Sequence, residues 1–341
     1  MDYAEQAIEA CRIVNDKKTM ADALRHMGIV CRHRDAFEDA LKHYESALEL
    51  QNEIKDENGT ASTLNSIGLV LTDLCELQSA LEHLERSLQI KRRLGDRTAV
   101  ATAQLNIGII RLQQANYGSA DKCFSEAAGL LGDVEDQDGI ATVLVNLALL
   151  HAEQVDTTRA LKELNVSIQM CNQLGRPRGV YVAQAKKATI LADSENWDEA
   201  LEQAELAAAG ARKESEKEFI AECLSVLCRA NAGKGQIAVA LKLGEEGLSV
   251  ARGAGMPEQE IIARLALGEA HFRSARTASS PTKETRKART FVSQALLEAS
   301  NRDMKRYVSK AERLLDQINE VGDEPAQKKK RTAAKGKKRT K

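Results

Sequence analysis

The sequence predicts an all-α solenoid of about seven stacked helical hairpins, and three observations support this fold class. Residues that favour helices dominate the 341-residue chain, which contains only four prolines and 3% aromatic residues. Small residues recur at a step of 40 residues, and apolar residues within each step follow two successive helical stripes. Because one hairpin cannot bury its apolar face alone, the hairpins are expected to stack on their neighbours.

Three columns of small residues define the repeat. The first column runs without a gap through Gly28, Gly68, Gly108, Ala148, Ala188, Cys228 and Gly268. The second column, twelve residues later, has an alanine in each of the first six units, at positions 40, 80, 120, 160, 200 and 240. The third column contains Ala47, Ser87, Ala127, Ser167, Ala207 and Gly247. A larger side chain in these columns would keep two helices from approaching closely.

The second unit shows how each hairpin is built. Its apolar residues form two stripes: Leu64, Ile67, Leu71 and Leu74, then Leu81, Leu84, Leu88 and Leu94. We predict the break between the two helices at residues 77–79. Turn-forming clusters separate successive units, at residues 55–59, 94–97, 136–139 and 174–179. In the fifth unit Lys187 occupies an apolar column, so the packing of that unit is expected to differ.

The two ends of the chain depart from the regular repeat. Residues 1–16 align with the second helix of a unit and predict a half repeat that precedes the array of residues 17–299. In the seventh unit the second helix is delayed by eight residues, after a loop at 276–284, and its core residues are expected to be Ala288, Val292 and Ala295. A capping helix is predicted over residues 300–321 and a disordered lysine-rich tail over residues 322–341.

These residues resemble the tetratricopeptide repeat family over roughly residues 2–299. The family pattern has large residues around a Leu-Gly pair on the first helix, and Ala, an aromatic residue and Ala on the second. The first unit matches through Leu24, Met27, Gly28, Cys31, Ala40, Tyr44 and Ala47. The 40-residue period and the LGDR linker at 94–97 look most like the longer repeats of kinesin light chains and Pins-type scaffolds. The resemblance implies a right-handed solenoid of tetratricopeptide repeats.

The resemblance also implies where a partner would bind. In this family the first helix of each unit lines a concave groove, and the polar residues in the corresponding columns here are Arg25, His26, Arg32, Asn65, Thr72, Asn106, Gln113, Asn146 and Glu153. Side-chain amides suit hydrogen bonds to the backbone of an extended peptide. Asn106 and Asn146 are equally suited to bridging adjacent helices, and the sequence leaves both roles open. The residues with which the family clamps the carboxylate end of chaperone tails do not match this chain, so that adaptor role is disfavoured.

No catalytic, cofactor or metal site is predicted. His43, His83 and Cys123 share one column, but equivalent positions on neighbouring repeats are expected about 10 Å apart, whereas zinc ligands bind at about 2.0 to 2.3 Å. The acidic linker at 134–139 has valine at the first calcium-ligand position. The segment 233–236 lacks the glycine spacing and the Lys-Ser/Thr pair of a phosphate loop. We therefore predict a protein that is not an enzyme.

Cysteine usage and hydropathy point to an intracellular, cytoplasmic protein. The seven cysteines are scattered without a CxxC pair, which is typical of reduced thiols packed as small hydrophobes. No apolar stretch reaches the roughly 18 to 20 residues of a membrane span. The N-terminus has acidic residues where a secretory signal would have basic ones.

The C-terminal segment, residues 328–341, carries the strongest charge pattern. Its nine basic residues are Lys328, Lys329, Lys330, Arg331, Lys335, Lys337, Lys338, Arg339 and Lys341, and the remaining 327 residues carry a formal charge of −10. Such a segment attracts nucleic acid or acidic surfaces, is similar to a nuclear import signal, or serves only solubility. No aromatic residue lies among the lysines, so base stacking is not supported.

Three functions follow from these patterns. The leading one is a scaffold whose groove binds a peptide or helix of a protein partner. The second is a nuclear or nucleic-acid-associated adaptor that uses the basic segment. The third is a regulatory subunit of an enzyme complex. No cofactor is expected in any of the three.

Overall fold

The computed structural model describes residues 16–277 and 281–336. This part of the chain forms fifteen α-helices, which confirms the all-α fold class. The helices are α1 (Lys17–His33), α2 (Phe37–Glu53), α3 (Glu57–Asp73), α4 (Leu77–Leu94), α5 (Arg97–Gln113), α6 (Tyr117–Asp133), α7 (Gln137–Glu153), α8 (Thr157–Gln173), α9 (Pro177–Asp193), α10 (Trp197–Lys213), α11 (Lys217–Gly233), α12 (Ile237–Gly253), α13 (Pro257–Thr277), α14 (Pro281–Asn301) and α15 (Lys305–Gly336).

The described helices have a finer period than the sequence repeat. From α1 to α13 a helix begins every 20 residues, and nearly all of them are 17 residues long. One residue in each of the first twelve connections has a left-handed backbone, at positions 35, 55, 75, 95, 115, 135, 155, 175, 195, 215, 235 and 255. Turns within a hairpin and turns between hairpins therefore have the same geometry.

The second unit shows how this turn works and corrects one boundary. Cys75 has a φ of 57°, and the following Glu76 N–H donates to the Leu71 carbonyl at 2.8 Å. This bond satisfies a carbonyl that the end of α3 would otherwise leave without a partner. The chain turns at residues 74–76, so the predicted break at 77–79 is wrong; Leu77 is buried and begins α4. A cysteine at the left-handed position gave no turn signal.

Aspartates begin the first helix of four successive units. The carboxylates of Asp16, Asp56, Asp96 and Asp136 each accept a hydrogen bond from the backbone N–H three residues later. Each bond satisfies one of the free N–H groups of a helix start, and the negative charge stabilises the positive end of the helix dipole. The equivalent residues of the next three units are Arg176, Glu216 and Met256.

The predicted small-residue columns lie where the two helices of a hairpin touch. A Cβ added to Gly108 would lie 2.5 Å from Cε1 of Phe124 on α6, and one on Gly28 would lie 2.5 Å from Cε1 of Tyr44. In the third column Ser87 donates to the Ala61 carbonyl at 2.6 Å, and Ser167 bonds in the same way. Glycine and serine are used here because the neighbouring helix occupies the space that a larger side chain would need.

Contacts divide the described residues into two compact units. Unit 1 contains the described residues up to Lys186 together with Ala254–Glu258, and unit 2 contains Lys187–Gly253 and the described residues from Gln259 onward. The division falls at Lys187, inside α9, where a lysine replaces the expected apolar residue.

Unit 2 includes the irregular seventh repeat and the last helices. Both α13 and α14 are 21 residues long, and the delayed core residues Ala288, Val292 and Ala295 are fully buried, as predicted. Phe272, Val292 and Ile318 share one hydrophobic cluster that joins α13, α14 and α15.

None of the helices in the described ranges is long and apolar enough to cross a bilayer. The predicted half repeat, residues 1–16, lies outside the described residues except for Asp16.

Candidate functional site

The candidate site lies on one face of the first helix of each repeat in unit 1, and we call the residues of this face the first-helix stripe. It consists of residues three or four apart on each helix, a spacing that puts them on one face. Its members are Ile29 and Arg32 on α1; Asn65, Leu69 and Asp73 on α3; Asn106, Ile109 and Gln113 on α5; and Asn146, Leu149 and Glu153 on α7.

The asparagines show that neighbouring parts of the stripe meet. Asn106 Nδ2 donates to Asn65 Oδ1 at 3.1 Å, so α5 and α3 are bridged at this point. Asn146 donates instead to the Thr142 carbonyl of its own helix at 3.0 Å. Of the two asparagines, Asn106 therefore bridges adjacent helices and Asn146 does not. Asn106 is buried, whereas Asn65 and Asn146 are half-buried.

An ion pair joins the stripe residues of the first repeat to those of the second repeat. Arg32 Nε and Nη2 donate to the two carboxylate oxygens of Asp73 at 2.6 and 3.1 Å. Burial raises the pKa of Asp73 above its usual value, although Arg32 opposes this shift. The neighbouring Thr72 donates to the Gly68 carbonyl of its own helix. Arg32 and Thr72 are therefore engaged within the repeat array.

The remaining predicted groove residues differ in their surroundings. Arg25 and His26 lie at the first unit, where Arg25 Nη2 and His26 Nε2 are 3.4 Å apart and His26 is exposed. Gln113 is buried, and its Nε2 donates to Glu258 Oε2 at 2.9 Å across 145 residues of sequence. Glu153 accepts a 3.5 Å hydrogen bond from the Tyr117 hydroxyl.

The sequence analysis missed the apolar members of the stripe. Ile29, Leu69, Ile109 and Leu149 recur at the 40-residue step, in a column that the family resemblance assigns to the groove. The first three are half-buried and Leu149 is buried. Their 40-residue recurrence is visible in the sequence, but the predicted groove residues were all polar. Together these residues form an aliphatic floor flanked by amides and charges.

In unit 2 the same column is polar or charged. Its residues are Thr189, Arg229 and Glu269. Arg229 donates to Asp193 Oδ1 at 2.6 Å and to Glu269 Oε2 at 2.8 Å. Lys310 on α15 lies 3.1 Å from the other oxygen of Asp193. The aliphatic floor of unit 1 is thus replaced by a network of ion pairs.

Arg273 extends this network. Its guanidinium bonds Glu269 Oε1 and Glu195 Oε1, at 2.9 and 2.6 Å, and lies 4.9 Å from the centroid of the Trp197 ring. Burial opposes ionisation of Glu269, but attraction to Arg229 and Arg273 holds the pKa of Glu269 below its usual range. The pKa of Asp193 is also lowered: burial alone would raise it, but attraction to Arg229 and Lys310 outweighs burial.

His83, Cys123 and Cys228 lie on helices of the repeat array. No group of three or more His, Cys, Asp or Glu side chains in the described ranges could hold a metal ion. His83 bonds the Ser79 carbonyl of its own helix. Burial raises the pKa of the Cys123 thiol and raises that of Cys228 to about 12, so both thiols stay protonated at neutral pH.

The side chains of the C-terminal basic residues, positions 328–341, lie outside the described part of the structure. The backbone of α15 runs to Gly336, and residues 337–341 lie outside the described ranges. The extents of the predicted half repeat, array, cap and tail remain predictions.

Comparison with known proteins supports the class of fold that the hairpins define. The tetratricopeptide repeat model matches residues 19–93 and 59–131, so this part of the chain carries tetratricopeptide repeats. No curated protein matches the chain by sequence.

Solved structures with the same fold cover most of the chain. A Rap protein complexed with Competence and Sporulation Factor is 13% identical, with a TM-score of 0.66 over 83% of this chain and 76% of that one. The Rap conjugation gene regulator of plasmid pLS20 with the Phr* peptide is 15% identical, with a TM-score of 0.64 and 90% and 76% coverage. NprR with its cognate peptide NprX is 14% identical, with a TM-score of 0.60 and 89% and 85% coverage. At these identities the likeness concerns the fold.

Proposed function

We propose that the protein is a non-catalytic scaffold whose first-helix stripe in unit 1 binds a peptide or helix of a protein partner. The observation that carries the proposal is the aliphatic floor of Ile29, Leu69, Ile109 and Leu149, which follows the stripe through four successive units. The pLS20 regulator and NprR structures are complexes with peptides, which supports a peptide as the kind of partner.

The chemistry of the stripe suits a partner with both apolar and polar groups. Complete burial of an aliphatic side chain is worth about 1.5 to 3 kcal/mol, so even partial burial of several floor residues supplies substantial affinity. The amides of Asn65 and Asn146 can orient a peptide backbone through hydrogen bonds. The floor would therefore supply affinity, and the amides would supply direction and register.

The first experiment identifies the partner and then tests the floor. Proteins retained from native lysate would be identified by mass spectrometry, and the affinity of the purified partner would be measured by titration calorimetry. We expect Ile29→Lys with Leu69→Lys to weaken binding by about tenfold or more, since a loss of 1.4 kcal/mol corresponds to a factor of ten. Substituting Asn65, Asn106 and Asn146 together by Ala is also expected to weaken binding.

Two exposed valines on other surfaces provide the matched control. Val134 and Val166 are 42% and 41% exposed and are not members of the first-helix stripe. Val134→Lys with Val166→Lys adds the same two charges and is expected to leave the affinity within about twofold. Equal affinity of the floor and control variants would exclude the stripe as the binding site.

A second candidate function rests on the charge separation along the chain. Nine basic residues lie within residues 328–341, against a formal charge of −10 in the rest. We propose that this segment provides salt-sensitive attachment to nucleic acid, or nuclear delivery in a cell that has a nucleus. Deletion of residues 328–341 is then expected to abolish DNA binding at low salt; unchanged binding would eliminate this role.

We further propose an intracellular location and a relationship to one subtype of the repeat. An intracellular location is supported by the scattered cysteines without a CxxC pair. A relationship to the longer repeats of kinesin light chains and Pins-type scaffolds is supported by the 40-residue period and the LGDR linker at 94–97.

A further inference from the structure

The segment Ala254–Glu258 differs from the equivalent connections between the other repeats. It groups with unit 1, although the residues on both sides of it group with unit 2. Earlier units have large apolar residues at the position of Ala254, namely Ile54, Leu94, Val134 and Leu174, and these are 37–45% exposed. Ala254 itself is only 4% exposed. This connection is therefore packed where the others face solvent.

The sequence of the segment fits a packed connection. Four earlier repeats have a capping aspartate at the position that Met256 occupies in the seventh repeat. Met256 is 8% exposed. Methionine cannot cap the start of α13, so the exchange of aspartate for methionine gives up a favourable cap. A flexible apolar side chain instead suits contact with protein.

One hydrogen bond places the segment on the stripe. Gln113, beside Ile109 on the α5 part of the stripe, donates to the Glu258 carboxylate at 2.9 Å. Hydrogen bonds to charged groups are stronger than those between neutral groups. The Gln113 side chain is thus already occupied, by a carboxylate that lies two residues after a buried apolar side chain.

We propose that Ala254–Glu258 is an internal occupant of the first-helix stripe, which closes the stripe at Gln113 until a partner displaces it. The regulatory part of this proposal rests on the proposed function, whereas the occupancy itself does not. A displacing partner would offer the same chemistry, an apolar side chain followed closely by a carboxylate. Release of the segment frees both the Gln113 amide and the adjoining floor.

Hydrogen exchange on the full-length protein tests the occupancy without a partner. The informative amides are those of residues 254–258 and of the last turn of α5. Gln113→Leu removes the hydrogen-bond donor and puts an apolar side chain of similar size in its place. Glu258→Ala removes the acceptor. We expect each variant to raise exchange at both sites by about three- to tenfold, since a charge-assisted hydrogen bond is lost. The double variant is expected to add little, because both substitutions break the same contact.

Two further variants separate occupancy from local effects on α13. Glu218→Ala changes the glutamate at the same helix position of α11 and is expected to leave the α5 amides unchanged. Met256→Asp restores the aspartate cap, and we expect it to protect the start of α13 while raising exchange at the end of α5. If the substitutions at 256 and 258 change exchange only within α13, the segment does not occupy the stripe and the proposal is wrong. Failure of the groove to bind a partner would leave these exchange results intact, so the two proposals fail separately.

Discussion

Val155 is the residue whose replacement tests the turn geometry most directly. It lies between α7 and α8 with a φ of 67° and is 86% exposed. A β-branched side chain is poorly tolerated in the left-handed region, where the equivalent turns at positions 95, 175, 235 and 255 have glycine. We therefore predict that Val155→Gly stabilises unit 1.

The magnitude follows from two opposing terms. Removing a side chain from the left-handed region recovers roughly 1 to 2 kcal/mol, and the additional chain entropy of glycine costs about 0.5 to 1 kcal/mol. Little packing is lost because the side chain is almost fully exposed. The expected net stabilisation is about 0.5 to 1 kcal/mol, or about 1 to 4 °C in Tm for a unit of this size.

Val134 provides the same substitution without the strain. It ends α6 with a φ of −105° and is 42% exposed. Val134→Gly therefore incurs the entropy cost alone and is expected to destabilise unit 1 by about 0.5 to 1 kcal/mol. Urea unfolding followed by circular dichroism at 222 nm measures both variants. The difference between them, about 1 to 2 kcal/mol, estimates the left-handed penalty directly.

The outcome that would refute the reasoning is a shift of the same sign and size in both variants. Such a result would mean that Val155 is not strained in solution, and that the regular left-handed residue in the first twelve connections does not limit the stability of the array. A change in the urea m-value would instead indicate that the units no longer unfold together.

Two further predictions concern helix contacts and acid stability. Gly108→Ala is expected to destabilise unit 1 by about 1 to 2 kcal/mol, because the added methyl group collides with the facing helix. A methyl group added at Gly129 meets nothing within 4 Å, so Gly129→Ala is expected to stabilise unit 1 by about 0.5 to 1 kcal/mol. Thermal unfolding distinguishes the two variants. The lowered pKa values of Asp193 and Glu269 stabilise the fold above their unfolded values of about 4, and this contribution is lost as the pH falls below that range. Unfolding free energies at pH 5 and pH 3 are expected to differ more in the native protein than in Glu269→Gln; an equal difference would mean that ionisation of Glu269 does not contribute.

The periodic part of the fold could be predicted from the sequence because packing constrains each column. Gly28 and Gly108 are small because an aromatic ring of the paired helix lies against them, and Leu84 and Val292 lie in the same way against Gly68 and Gly268. The exact turns could not be predicted in the same way. Cys75 and Val155 take a left-handed backbone that their side chains disfavour, since the packed helices on both sides determine the turn.

The candidate site was predictable only in part, because the predicted groove residues have different partners in different repeats. Arg32 and Gln113 both belong to the predicted groove, yet Arg32 pairs with the next unit and Gln113 pairs with a residue 145 positions away. The sequence contains no local signal for the second contact. It does contain the exchange of aspartate for Met256, which becomes meaningful once the packing of that connection is known.

The column that forms the aliphatic floor in unit 1 contains Arg229 and Glu269 in unit 2, and this difference separates the roles of the two units. Arg229 and Glu269 are half-buried, with side chains 20% and 15% exposed, and a largely buried ion pair adds little net stability over apolar residues of similar size. Their value lies in geometry, since Asp193, Glu269 and Lys310 join three repeats to the last helix within unit 2. Such a network is already satisfied and gains little from covering by a partner. The aliphatic floor of unit 1 has no such internal compensation, so its partly exposed side chains gain free energy whenever a partner covers them. The affinity of the scaffold for a peptide is therefore expected to reside in unit 1.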